Sequence, residues 1–96
     1  MPKAYWVGNV EVTDADVYGE YAKIAQEAIQ AHGGKFLARG GRYVQCEGRE
    51  RARNVVVEFP SLEAATECYN SERYQEAVSF AARSSVRDLV LIEGAE

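Results

Sequence analysis

The stretch RNVVVEFPSLEAATECYN, residues 53–70, joins a strand, a stop and a helix start. Three consecutive valines between Asn54 and Glu58, closing on Phe59, read as a strand of β-branched and aromatic residues. Pro60 cannot donate to a sheet ladder and ends the strand, and Ser61 is a fair N-cap for the helix that follows. The valine run also raises the question on which the fold turns. A sheet with one wet face alternates apolar and polar side chains. Here Val55, Val56 and Val57 place apolar residues on both faces.

Working outward, AYWVGNVEV (4–12) repeats the pattern, with Trp6, Val10 and Val12 at one parity and Tyr5 and Val7 at the other. Thr13 and Asp16 have capping-box spacing and open a helix. Its apolar face carries Val17, Tyr21, Ile24 and Ala28, flanked by Tyr18, Ala22, Ala25 and Ile29. The helix is expected to end at His32, with Gly33 in the left-handed C-cap position. KFLAR and RYVQCE are predicted strands, interrupted by a bulge or kink at Gly40–Gly41. Beyond the valine strand, one helix starts after Ser61 and another after Ser71, and VRDLVLIEG closes the chain as a strand.

This order predicts a ferredoxin-like βαββαβ α+β fold, an antiparallel four-stranded sheet with helices on one face, in a single domain over residues 1–96. Helices cover only one sheet face, yet both faces are apolar, VRDLVLIEG included. The expected cover is a second copy of the same sheet, giving a homodimer through the sheet faces.

The composition is globular, 47% hydrophobic and 27% charged over 96 residues. A net charge of −4 argues against a general nucleic-acid binder, which presents a basic face. The charge is uneven, however: Lys35, Arg39, Arg42, Arg49, Arg51 and Arg53 cluster against only Glu47 and Glu50. Such a cluster is either a solvated hairpin or a local attractor for a small anion. Cys46 and Cys68 form no CxxC pair, and a lone His32 completes no metal set, so neither metal, haem nor other cofactor is expected. The N-terminus has no apolar leader, and no run is long enough to span a bilayer, so the protein is read as cytoplasmic with two reduced thiols.

Strand parity places Lys35, Leu37 and Arg39 on one face and Phe36 and Ala38 on the other. With Phe36 and Ala38 on the helix side, Arg39 is expected on the opposite face with Tyr5, Asn9, Asn54 and Glu58. A ligand site there has Arg39 gripping a carboxylate or oxyanion, with Asn9, Asn54 and Tyr5 lining it. Glu58, Tyr18 and His32 are the candidates for moving a proton. The structural alternative for Arg39 and Glu58 is a buried ion pair, and for His32 a favourable position at a helix C-terminus. No GxSxG, P-loop, dinucleotide fingerprint or HExxH is present.

Three pieces, GGKFLARGG, EFPS and YNSERYQ, together with most of the chain around them, resemble the bacterial family known as domain of unknown function 1330. The resemblance implies a dimeric α+β barrel, in which two ferredoxin-like sheets pack face to face. That superfamily includes small cofactor-free monooxygenases, muconolactone-isomerase-like enzymes, chlorite-dismutase-like haem proteins and ligand-sensing regulator domains. The resemblance implies no reaction, because one fold hosts many functions. The expected function is therefore a metal-free enzyme or binder for a small, partly apolar carboxylate-type or polar metabolite. The alternative is a non-catalytic dimeric ligand-sensing or structural module.

Overall fold

The central strand is β1 (Ala4–Val12), whose alternate residues Ala4, Trp6, Gly8 and Val10 are buried while Asn9 and Glu11 are exposed. In the computed structural model, which describes residues 2–96, β1 pairs antiparallel on one side with β3 (Arg53–Phe59) and on the other with β4 (Ser85–Glu93). The short β2 (Lys35–Arg39) adds to the outer edge of β3, giving the order β2-β3-β1-β4. The fold is the ferredoxin-like βαββαβ unit, an antiparallel four-stranded sheet with three helices on one face.

Helix α1 (Ala15–Ala31) starts one residue later than the capping-box spacing indicates. Asp14 is the N-cap, its carboxylate accepting from the Val17 amide at 3.2 Å, while the Thr13 amide is occupied with the Ser84 carbonyl at 2.8 Å. The C-cap is His32, as expected, and Gly33 turns the chain at φ +81°, a backbone region that disfavours side chains. Helices α2 (Leu62–Asn70) and α3 (Glu72–Ser84) are capped by Ser61 and Ser71, each hydroxyl accepting an amide three residues on.

The three helices bury one face of the sheet around an aromatic core. Trp6 stacks on Phe59 at 5.5 Å between ring centroids and meets Tyr74 edge-on at 4.8 Å. Tyr74 continues to Tyr21 and Tyr21 to Tyr18, so aromatic rings run from β3 to the first turn of α1. Among the described residues no helix packs on the opposite face. Val86, Val90 and Ile92 of β4 are about half exposed there.

One predicted element is absent. RYVQCE is not a strand: residues 41–52 form an exposed, irregular arm between β2 and β3. Its only apolar residues of size are Tyr43 and Val44, both exposed, and its local bonds include Tyr43 Oη to Glu50 Oε2 at 2.6 Å and Gln45 Nε2 to the Glu47 carbonyl. Arg51, by contrast, is buried at the base of the arm against Asp88, 3.4 Å away. Alternating side chains make a strand only where a neighbouring edge can take the backbone bonds, and this segment lies beyond the end of β3.

Candidate functional site

The site begins with one extra residue in β2. Lys35 and Phe36 face Glu58 and Val57 of β3, but Ala38 faces Val56 and Arg39 faces Val55. Leu37 is therefore a β-bulge, and everything after it changes sides. Arg39 points to the helix side with Phe36, its guanidinium 4.4 Å from the Phe36 ring centroid and hydrogen-bonded to Gln26 of α1 at 3.3 Å. This corrects the parity reading, which put Arg39 on the open face. The bulge lies at Leu37, while the Gly40–Gly41 pair supplies the expected kink, with β2 ending at Arg39. Gly40 has a different duty: at φ +69° it leaves room for Arg53, whose Nη1 would lie 2.7 Å from a Cβ there.

Between the sheet and α1 lies a cavity of about 230 Å³. Trp6, Val10, Val55, Val57, Phe36 and Leu89 supply apolar walls, and Gly8 leaves the floor of β1 bare. Three arginines, Arg39, Arg53 and Arg87, enter it from three strands, with Lys23 of α1 at its edge. Among the described residues none of the three arginines forms an ion pair. Asp88 also lines the cavity, but its carboxylate is paired with Arg51. The Nε of Arg53 is buried and has no hydrogen-bond partner among the described residues.

The phenols form a small network at one end. Arg87 donates through Nη1 to Tyr21 Oη at 2.8 Å and through Nη2 to Tyr74 Oη at 3.1 Å. The two hydroxyls are 2.8 Å apart. Burial pushes the Tyr74 and Tyr18 phenols above the usual range, so both are neutral at physiological pH; Arg53 and Arg87 pull back only part of the Tyr18 shift. Arg53 also lies over the Tyr18 ring, 5.6 Å from its centroid. The cavity thus offers donors and positive charge against apolar walls, and its acceptors are largely engaged.

The sheet separates the residues singled out from sequence. Tyr5, Asn9, Asn54 and Glu58 share the open face, as strand parity indicates. Asn9 Nδ2 donates to Asn54 Oδ1 at 2.7 Å, and Glu58 pairs with Lys3 at 2.8 Å. Glu58 is not the partner of Arg39, since the two point to opposite faces. Tyr18 and Arg39 lie on the helix side, in the cavity lining. His32 lies away from both, with Nδ1 at 2.8 Å from the Ala28 carbonyl, to which it donates. Arg53, Arg87 and Tyr21 were missed as site residues. A signal for two of them existed: Arg53 shares parity with Val57 and Phe59, and Arg87 with Leu89 and Leu91, so both place a charge among core residues.

Among the described residues no group of three His, Cys, Asp or Glu side chains is arranged to hold a metal ion, and no helix is long and apolar enough to cross a membrane. Residues 3–95 match the family model described as domain of unknown function, DUF1330, and the chain belongs to that family. No curated protein matches it. Among solved structures it is similar to a protein of unknown function from Rhodopseudomonas palustris, with a TM-score of 0.81 and 17% identity over 99% of this chain and 84% of that one. It is also similar to SnoaB, a cofactor-independent oxygenase from Streptomyces nogalater, with a TM-score of 0.70 and 7% identity over 100% and 96% of the two chains. A dimeric protein of unknown function and ferredoxin-like fold from Bacteroides fragilis matches at a TM-score of 0.56 and 14% identity over 96% of each chain. At these identities the likeness is one of fold.

Proposed function

We propose that this DUF1330 chain binds a small, partly apolar carboxylate in the cavity between its sheet and α1. One observation carries the reading: three guanidinium groups line an apolar cavity and, among the described residues, none forms an ion pair. Arg53 and Arg87 are half-buried and Arg39 is exposed; a positive charge partly withdrawn from water with no carboxylate beside it is costly, and an anionic ligand is the natural means of offsetting it. A guanidinium is suited to that role because its planar fork engages both carboxylate oxygens. The volume is about that of seven or eight waters at roughly 30 Å³ each, enough for one ring with a short substituent. The site moves from the open face, where parity had put Arg39, to the helix side, where Arg39 and Tyr18 meet Arg53 and Arg87.

The test is a set of thermal melts with benzoate and short branched aliphatic acids, each beside its methyl ester. The acids should raise the melting temperature and the esters should not. Arg53→Ala, if still folded, should lose the shift, because truncating a buried charge contact costs about 2–5 kcal/mol of binding. Equal shifts with acids and esters would overturn the reading.

A homodimer through the open sheet face belongs to the same proposal. Val86, Val90 and Ile92 there are 49–54% exposed, and the Bacteroides fragilis neighbour is described as dimeric. Face-to-face sheet packing would cover this surface and leave the helix-side cavity intact. The two unpaired cysteines support a reducing compartment, the cytoplasm.

A further inference from the structure

The Arg87–Tyr21–Tyr74 network has a direction that hydrogen-bond accounting fixes. Two phenols carry two hydroxyl protons, and one of these lies in the bond between them. Suppose Tyr21 donates. Tyr74 oxygen then accepts from Tyr21 and from Arg87, and its own proton needs an acceptor elsewhere. Tyr74 has no exposed surface and no further partner among the described residues, so that proton would be buried and unsatisfied. Suppose instead that Tyr74 donates. Both lone pairs of Tyr21 are then filled, by Tyr74 and by Arg87 Nη1. The remaining proton is that of Tyr21, which lines the cavity. Only this arrangement can be completed, and it is completed by an acceptor inside the cavity.

We infer that Tyr21 presents its hydroxyl proton to the cavity and that the ligand carries a carbonyl, enolate or phenolate oxygen to receive it, in addition to its carboxylate. The inference rests on the carboxylate reading and narrows it to oxo and hydroxy acids of one-ring size. Arg87 and Tyr74, by donating to the Tyr21 oxygen, make its own proton a better donor. Tyr21 is a ligand-binding residue, and Tyr74, which is not among the cavity-lining residues, acts through it. The ligand's anionic end falls to the arginines outside the Tyr21–Tyr74 pair, Arg53 above all, whose buried Nε has no hydrogen-bond partner among the described residues.

The experiment compares 3- and 4-acetylbenzoate with 3- and 4-isopropylbenzoate by calorimetry. Each pair has nearly the same shape, and only the acetyl group offers an oxygen acceptor. Wild type should bind at least one acetyl isomer more tightly than its isopropyl partner, by roughly two- to tenfold for one hydrogen bond. Tyr21→Phe should bring that ratio to one. Tyr74→Phe, which leaves the cavity wall in place, should shrink the ratio, and it decides the matter if Tyr21→Phe does not fold. An acetyl ratio of one in wild type, or a ratio unchanged in both variants, overturns the inference while carboxylate binding stands. If none of the four acids binds wild type, both the inference and the carboxylate reading fall.

Discussion

The two faces of this sheet are built from the same kinds of residues and do opposite things. Val55 and Val57 of β3 lie under the helices, and Val57 is wholly buried; Val56 between them lies on the open face. On the helix side, apolar residues meet aromatic rings from α1 and α3, and the charges that intrude, Arg39, Arg53 and Arg87, gather in one cavity. On the open side Lys3 pairs with Glu58, while valine and isoleucine stay exposed. Hydrophobicity alone does not say which face is the core. What distinguishes them is what packs on them: aromatic rings of α1 and α3 on one side and, among the described residues, no helix on the other.

The sharpest way to break this comparison is to cut into each face and compare the losses. Phe59→Ala removes a ring that is 1% exposed and stacked on Trp6. It should cost about 3–5 kcal/mol of folding stability, measured by urea denaturation. A loss below about 1 kcal/mol would mean that the helix-side core closes over the gap, and the two faces would then differ less than their burial indicates.

The comparison is sharpened by the two cysteines. Cys68, on α2, is buried with its thiol against the Ala28 carbonyl of α1, and burial pushes the thiol up to about 12; Cys46 is exposed on the arm. A thiol-specific reagent should label Cys46 at once and Cys68 only on unfolding. Because the folded Cys68 thiol titrates above its ordinary value of 9.0, the folded state holds the proton longer than the unfolded chain. Its contribution is complete below that ordinary value and is lost as pH rises through the interval to about 12, by about 1.4 kcal/mol per pH unit. Tyr74 and Tyr18, also raised, act in the same direction at still higher pH. Denaturation midpoints recorded from pH 8 upward should fall, and Cys68→Ala should remove the first part of the fall.

Most of the fold was legible because periodicity and caps were strong: β1, β3, β4, the end of α1 at His32 and the helix starts after Ser61 and Ser71 all lie where pattern reading puts them. The site was half legible, and the failure has one cause. Parity counting carries a side chain's face along a strand only while the pairing is regular. A bulge inserts a residue without a distinctive composition, and Leu37 looks like any strand residue. That single insertion moved Arg39 through the sheet. RYVQCE misled for a related reason, since alternation reports what a segment could pair with and not whether an edge is within reach. The phenol network was beyond reach from sequence, because Tyr21 and Tyr74 are 53 residues apart and meet only through packing of α1 on α3.

The smallest expected change in stability is also the one that tells most about the open face. Ile92→Asp replaces a residue that is 54% exposed in the single chain. If that face is free, the new carboxylate is solvated. Denaturation at high dilution should then change by no more than about 0.5 kcal/mol, the usual range for a surface position. If the face is covered by a second copy, the same carboxylate is brought into a sheet-on-sheet core. There it is desolvated without a partner. Light scattering at micromolar concentration should accordingly report twice the chain mass for wild type and one chain mass for Ile92→Asp, with Phe59 and the cavity undisturbed. A wild type that runs as one chain would remove the second copy and leave Val86, Val90 and Ile92 as exposed surface. An Ile92→Asp protein that still runs at twice the chain mass would move the interface off this part of β4. In either case the helix-side cavity keeps its arginines, since Arg39, Arg53 and Arg87 reach it from the other side of the sheet.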